Sequence, residues 1–354
     1  MLDRLIADLQ SLPEMRAQVE HGSSSQAGDD WPDARVSLVA AGRPVTVLVE
    51  LRKAVYPRDA RELVWRVRDA ASRRSTAGLD DDVHAMVVAE SISPGARELL
   101  ASEKVGYYDG GGSLYLPAAG AYLFIQKPAI KSESRVIRTL FTGRRAQVLH
   151  AMLLHPRDWF GVKDLADQTQ VLPSTISPVL AELERQEWVQ TRGQGPTKQR
   201  QLTEPGALLD AWVQHIAPSA RAAPRRYFVP AAAEGSLIER LDRAFEAERA
   251  VYALSFEVAA QRYAPFLSTV SQIRARVLDD AATAVALSTL DARPVGEGAN
   301  LTVVAAKSPG ELQFRQRMDG VWLASPVQVY LDLVGAEGRA KELAEHLRKE
   351  RIGF

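Results

Sequence analysis

The chain has 354 residues, 46% hydrophobic and 25% charged, and its 44 Lys and Arg balance 44 Asp and Glu to a formal net charge of zero. That length exceeds one ordinary core and calls for two to four domains, while the neutral balance excludes a chain-wide signature of polyanion binding. With no cysteine, disulfides, thiolate zinc sites and cysteine nucleophiles are excluded; no apolar run is long enough to cross a bilayer, Met1-Leu-Asp-Arg carries no signal-peptide pattern, and a cytoplasmic protein without a membrane partner is expected.

Residues 1–20 read as one helix with Leu2, Leu5, Ile6 and Leu9 on a single face. A Gly/Ser loop at 22–30 leads to two strands, 34–40 and 45–51, joined through Gly42-Arg43-Pro44. A helix over 59–72 turns Leu63, Val64 and Val67 inward, and 85–89 is a short buried strand. Ser93-Pro94 opens a helix to about Glu103, because proline suits the first helical position. Three more strands are expected at 105–108, 113–116 and 122–126. The order α-β-β-α-β-α-β-β-β describes an α/β domain over 1–128. Its loop Tyr107-Tyr-Asp109-Gly-Gly-Gly-Ser113 reads as a tight hairpin between Tyr108 and Leu114, since no Lys-Ser/Thr follows and no helix opens after it as a phosphate loop requires.

The second strand carries Glu50-Leu51-Arg52-Lys53, and with its flanking strand, helix and strand it resembles the PD-(D/E)xK nuclease fold. In that family an Asp on one strand and a Glu two residues before a Lys on the next hold a divalent metal and activate water. Side chains two apart on a strand share a face, so such a Glu and Lys converge on one scissile phosphate. Asp33 lies just before the first strand here and Glu50 is well placed. Two residues beyond Glu50, however, stands Arg52, which stays protonated and cannot act as a base. Lys53 belongs to the other face of a regular strand unless a bulge brings it round. The site reads as degenerate, with Glu50 and Arg52 an ion pair or part of a surface that meets nucleic acid. Asp33, Glu50 and Lys53 are the catalytic candidates of the alternative, a metal-dependent nuclease, and only that alternative calls for a cofactor, a divalent metal.

Residues 135–216 have the outline of a winged helix-turn-helix. Arg144 to Leu154 shows amphipathic helical spacing, a short helix follows from Val162, and Ile176, Val179, Leu180 and Leu183 mark the inward face of a third helix. Val189-Gln-Thr191 reads as a strand, 192–200 as a Gly-rich basic tip, 201–203 as the returning strand, and 206–216 as a closing helix. Ser174, Thr175 and Ser177 then face outward at the start of a recognition helix, where their hydroxyls can meet bases or phosphates. Arg192, Lys198 and Arg200 supply cations that can follow the DNA backbone or enter a minor groove. Pro178 would break a helical bond, which places the helix start late, at Thr175 or Ile176. From Lys131 to Arg226 there are 14 Lys and Arg against 9 Asp and Glu, a local excess that favours double-stranded DNA as partner. A protein-binding winged helix with a solvated wing would share this outline.

After a Pro/Ala linker at 217–224, residues 227–354 form a C-terminal mixed α/β domain, with helices at 236–249, 255–263, 281–290 and 338–349 and strands at 273–278 and 301–306. Gln328, Tyr330 and Asp332 alternate along a helix and form no catalytic set, Asp332 being available to cap it or to pair with Arg339. The six His are scattered.

Val251-Tyr-Ala-Leu-Ser255, Gly298-Ala-Asn300-Leu and Ser325-Pro-Val-Gln328-Val-Tyr330-Leu-Asp332-Leu, together with Glu50-Leu-Arg and Val105 to Leu114, resemble the AbiEi group of antitoxins of type IV toxin–antitoxin systems, in its branch with a nuclease-like N-terminal domain. The resemblance implies an autorepressor that binds DNA and antagonises a nucleotidyltransferase-like toxin through its C-terminal domain, and winged-helix repressors commonly work as homodimers. Two features depart from the family: its winged helix is usually N-terminal, and the Asn that usually follows Gly-Gly in the hairpin appears as Gly112-Ser113. The expectation is a multidomain α/β transcriptional regulator rather than an enzyme. A non-enzymatic plasmid or conjugation factor would preserve the same features.

Overall fold

The structure is a computed structural model and describes residues 1–20, 32–40, 42–75, 83–118, 121–127, 139–215, 223–232, 235–266, 270, 272–336 and 339–354. The loop expected at 22–30, most of the linker expected at 217–224 and Gly338 lie outside the described residues. The chain is mixed α/β and divides into two compact units, residues 1–138 with 181–187, and 139–180 with 188–354.

The first unit holds a seven-stranded sheet in the order β1-β2-β3-β4-β5-β6-β7. Its elements are α1 (Leu2–Gln10), β1 (Met15–Glu20), β2 (Ala34–Ala40), β3 (Arg43–Val55), α2 (Pro57–Ser75), β4 (Val83–Ile92), α3 (Pro94–Ser102), β5 (Gly106–Asp109), β6 (Leu114–Ala118) and β7 (Ala121–Ile125). β3, β4 and β5 run parallel, with α2 and α3 as crossovers, and antiparallel hairpins extend both sides. Alternation sorts the strands' side chains. Val45, Val47, Val49, Met86 and Val88 join Leu5 and Leu9 of α1 in one core, while Val87 and Ala89 pack with Leu63 and Leu100 of the crossovers in the other.

The single helix expected over 1–20 is instead α1 followed by β1. Pro13 and the positive φ of Glu14 (58°) turn the chain, after which Ala17 points into the core and Met15 pairs with Ala40 at the sheet edge. At α3 the expected start holds: Ser93 caps it by accepting from Ala96 N–H at 3.3 Å, with Pro94 in the first turn.

The second unit holds α4 (Gly143–Leu154), α5 (Val162–Thr169) and the first eight residues of α6 (Pro173–Arg185), whose last five belong to the first unit, and then the hairpin β8 (Val189–Arg192) and β9 (Gln199–Leu202) and the helix α7 (Pro205–His215). Phe160 exchanges both backbone hydrogen bonds with Arg200, at 2.8 and 2.9 Å, adding a one-residue third strand to the hairpin. Val148, Met152, Leu165, Ile176, Leu180 and Leu202 are buried, as helical and strand spacing require.

The remaining elements are β10 (Arg225–Phe228), α8 (Leu237–Ala247), β11 (Tyr252–Leu254), α9 (Phe256–Tyr263), β12 (Ile273–Leu278), α10 (Ala281–Thr289), β13 (Arg293–Pro294), β14 (Leu301–Ala306), β15 (Gln316–Met318), β16 (Val321–Leu323), α11 (Pro326–Val334) and α12 (Ala340–Leu347). Their strands make a second seven-stranded sheet, ordered β13-β10-β14-β12-β11-β16-β15.

α4 also packs on this C-terminal part. Its buried His150 meets Ser325, the cap of α11, with 2.5 Å between Nε2 and Oγ, and stacks beside Phe314 at 4.9 Å between ring centroids. Gln147 fills the space beside Gly310, where a Cβ would fall 1.0 Å from its Nε2.

Candidate nucleic-acid interface

α6 starts at Pro173, earlier than Thr175 or Ile176. The Leu172 carbonyl accepts from Thr175 N–H (2.9 Å) and Ile176 N–H (3.2 Å), and Pro173 occupies a first-turn position that needs no donor. Pro178 therefore lies inside the helix and supplies no N–H to the Ser174 carbonyl, a defect that costs about 3 kcal/mol in a helix interior. Two facts let the helix continue through it. Ser174, Ser177 and Pro178 are exposed, so the proline ring meets no packed neighbour, and Ile176, Val179, Leu180 and Leu183 are buried on the opposite side.

α5, α6 and the hairpin tip enclose an open cleft of about 600 Å³. Lys163 and Asp167 reach it from α5, Pro173 and Ser177 from α6, and Lys198 and Arg200 from the hairpin. Three cations against one carboxylate leave it net positive, suited to an anion such as a phosphodiester backbone.

Of the residues expected from the sequence to touch DNA, Ser177, Lys198 and Arg200 meet in this cleft. Ser174 is exposed and Thr175 half-buried on the first turn of α6, outside the cleft lining. Arg192 is exposed on β8, its guanidinium over the Trp159 ring at 4.2 Å and its Nε donating to Gln199 Oε1 at 2.9 Å. That cation–π contact and the hydrogen bond to Gln199 hold the guanidinium beside Trp159. Lys163, Pro173 and Trp159 were not singled out from the sequence. Lys163 had a signal, a cation in the first turn of the short helix preceding α6, but its convergence with Lys198 depends on the hairpin folding back.

The carboxylate site of the first unit has a different character. Glu50 is buried and its Oε1 is held by both Arg52 and Arg66, the latter at 3.0 Å. Burial pushes its carboxyl above the usual carboxylate range, opposed by the two guanidiniums and reinforced by Asp33. Asp33 accepts from Leu51 N–H at 2.7 Å, and Arg66 also binds Glu62 at 3.0 Å. β3 keeps one pairing offset with β4 from Thr46–Val83 to Val55–Ile92, so no residue is inserted around Lys53, which is exposed. Arg52, not Lys53, is the residue that meets Glu50. Two guanidiniums stand where a divalent cation would need further oxygen ligands, and no cluster of three or more His, Asp or Glu that could hold a metal occurs among the described residues. These residues do not fit a divalent metal.

Two conspicuous acidic residues serve the fold. Asp109 closes the β5–β6 turn: its Oδ1 accepts from Gly111 N–H (2.8 Å) and Ser113 N–H (3.1 Å), and its Oδ2 pairs with buried Arg97 at 2.7 Å. Asp332 pairs with Arg276 of β12 at 2.7 Å rather than with Arg339. It also accepts from Ser255 Oγ (2.6 Å) and Gln328 Nε2 (3.0 Å), and Arg276 in turn reaches Glu311 at 2.5 Å.

Among the described residues no helix is long and apolar enough to cross a membrane. Comparison of the chain with protein-family models, curated proteins and solved structures gives no match.

Proposed function

We propose that this protein binds double-stranded DNA through a winged helix formed by α4, α5, α6 and the β8–β9 hairpin, and that it acts as a transcriptional regulator. One observation carries the reading: Lys163, Ser177, Lys198 and Arg200, from three separate elements, converge on a single cleft beside the exposed first turn of α6. In this arrangement α6 enters the major groove and the hairpin tip follows the adjacent backbone. Within this reading the first unit is a non-catalytic nuclease-like domain, since Arg52 and Arg66 take up the carboxylate that a nuclease would use for metal. The resemblance to AbiEi antitoxins supports a more specific role, autorepression combined with antagonism of a toxin encoded alongside.

Gel shifts on the DNA upstream of the gene, across a salt series, test the proposal. Binding should weaken steeply with salt, and replacing Arg192, Lys198 and Arg200 by Glu should flatten the logarithmic salt slope by about one unit for each phosphate left without its cation. An unchanged slope would remove the hairpin from the interface, and salt-insensitive binding would remove the proposal. Co-expression with the neighbouring gene tests the antitoxin role: relief of that gene's toxicity is expected.

A further inference from the structure

Four strands form the edges of the two seven-stranded sheets: β1 and β7 in the first unit, β13 and β15 in the second. An edge strand leaves a row of backbone donors and acceptors without partners, and charge, proline or shortness usually guards it against pairing with another chain. Three of the four edges are guarded in this way. β1 exposes Arg16 and Gln18, β13 consists of Arg293 and Pro294 alone, and β15 has three residues with Arg317 exposed. β7 has no such guard. Its five residues, Ala121-Tyr-Leu-Phe-Ile125, carry no charge, and Tyr122 and Phe124 are 69% and 53% exposed.

The exposed rings sit on the residues whose backbone also faces outward. Asp109 N–H donates to the Ser113 carbonyl at 3.0 Å. That bond turns the backbone of residues 113, 115 and 117 toward β5, and the backbone of Leu114 and Leu116 toward β7, where their partners are Ile125 and Leu123. The N–H and C=O groups of Tyr122 and Phe124 therefore point away from the sheet, and among the described residues no strand pairs with that side of β7. Both rings make edge-on contact with Tyr115, at 5.8 and 6.0 Å between centroids, and so extend one aromatic row to the sheet's rim.

We infer that β7 is the contact through which two copies of this chain associate, pairing antiparallel about a twofold axis at Leu123. The strand is complementary to itself in that register. Tyr122 of each copy lies opposite Phe124 of the other, and both pairs exchange N–H···O bonds, so the outward backbone groups of both strands are satisfied together. The four rings form two cross-strand aromatic pairs on one face. On the other face Leu123, half-buried against the core of the first unit, meets its counterpart. A second copy brings a strand of matching chemistry and register, which no other edge of the two sheets offers. The area sets the strength of the contact. At about 200 Å² per aromatic side chain, the exposed parts of these rings supply about 500 Å² over the two copies. A paired edge about 17 Å long adds backbone and Leu123, which brings the total to the lower limit of about 1,000 Å² for a specific interface. The dimer is accordingly reversible at micromolar concentration rather than obligate. It involves the first unit alone and does not depend on the DNA-binding reading.

Sedimentation velocity of the full chain across the micromolar range tests the proposal, and wild type should pass from monomer to dimer. Tyr122→Lys combined with Phe124→Lys sets like charges opposite each other and should raise the dissociation constant at least about thirtyfold. Tyr122→Glu combined with Phe124→Lys sets opposite charges across the same register and should keep the dimer. Both side chains are exposed, so circular dichroism should show both variants folded. A covalent test fixes the register. The chain has no cysteine, so Leu123→Cys introduces a single thiol at the twofold axis. There the two Cα atoms form a non-hydrogen-bonded pair about 4.5 Å apart, within the span of a disulfide, and mild oxidation should yield covalent dimers. Ile125→Cys, whose counterpart lies four positions along the partner strand, should cross-link far more slowly. A wild-type chain that stays monomeric overturns the inference and leaves the edge to a different partner. A dimer that survives the double lysine change undiminished overturns it as well. Loss of the dimer in the Glu and Lys pair, or equal cross-linking at 123 and 125, overturns the register.

Discussion

His150 makes the stability of the second unit sensitive to acid. The ring is fully enclosed between α4 and the C-terminal part, beside Phe314 and Trp212. Ser325 Oγ accepts from Gln328 N–H at 3.2 Å, which leaves its own hydrogen to donate to Nε2 of a neutral imidazole at 2.5 Å. Burial pushes the imidazole down to about 3 from 6.5, with the positive charge of Arg276 adding to the effect. A histidine whose folded value lies below its unfolded one favours the folded state fully above the unfolded value. That contribution is lost as pH falls, because between about 6.5 and 3 the unfolded chain takes up a proton that the folded chain refuses. The slope reaches about 1.4 kcal/mol per pH unit, and integration from neutrality to about pH 5 yields a loss of about 2 kcal/mol from this residue. Urea denaturation followed by tryptophan fluorescence across that range would measure it. His150→Asn, which cannot titrate, should be less stable at neutral pH but should have a flatter pH dependence, so that the two stability curves converge on acidification. Parallel curves for wild type and variant would refute the reasoning.

Asp332→Ala should cost about 3 kcal/mol in urea unfolding, because it strips Arg276, whose side chain is only 11% exposed, of one of its two carboxylates and leaves Glu311 as its remaining acidic partner. A loss below about 1 kcal/mol would mean that Glu311 and water compensate for the missing carboxylate. Plasmid DNA incubated with magnesium or manganese should stay intact, since Glu50 is engaged by Arg52 and Arg66; cleavage abolished by Glu50→Ala would establish the nuclease alternative.

Periodicity alone located much of this fold. β12 and β14 occur at the expected residues, 273–278 and 301–306, because β12 alternates and β14 is a β-branched apolar run that follows a Gly/Asn turn. The caps were equally readable: Ser93-Pro94 opens α3, and the hairpin between Tyr108 and Leu114 forms as its glycines and Asp109 suggest. β10, β11, β15 and β16, of three or four residues each, went unseen, whereas β5, β8 and β9, no longer, were marked by the turn residues of their hairpins. β1 was hidden for another reason. Its apolar residues continue those of α1 closely enough to mimic one longer helix, and only pairing with β2 reveals the change of period.

What the sequence by itself determined is local: which residues turn inward, where helices can be capped, and that Ser177 lies on the outward side of its helix. Tertiary structure decided the pairings. Arg276 finds Asp332 across 56 positions of chain, Glu50 is claimed by an arginine of α2 as well as by its neighbour on β3, and Lys163 joins Lys198 only once the hairpin folds back beside α5. It also decided the start of α6. Proline chemistry alone argued for a late one, but burial of Ile176, Val179 and Leu180 supports a full turn before Pro178, and the proline falls on the exposed side of the helix. Charge partners and tolerated defects depend on which surfaces come to lie together and which stay wet, and that is a property of the packed chain rather than of any segment in it.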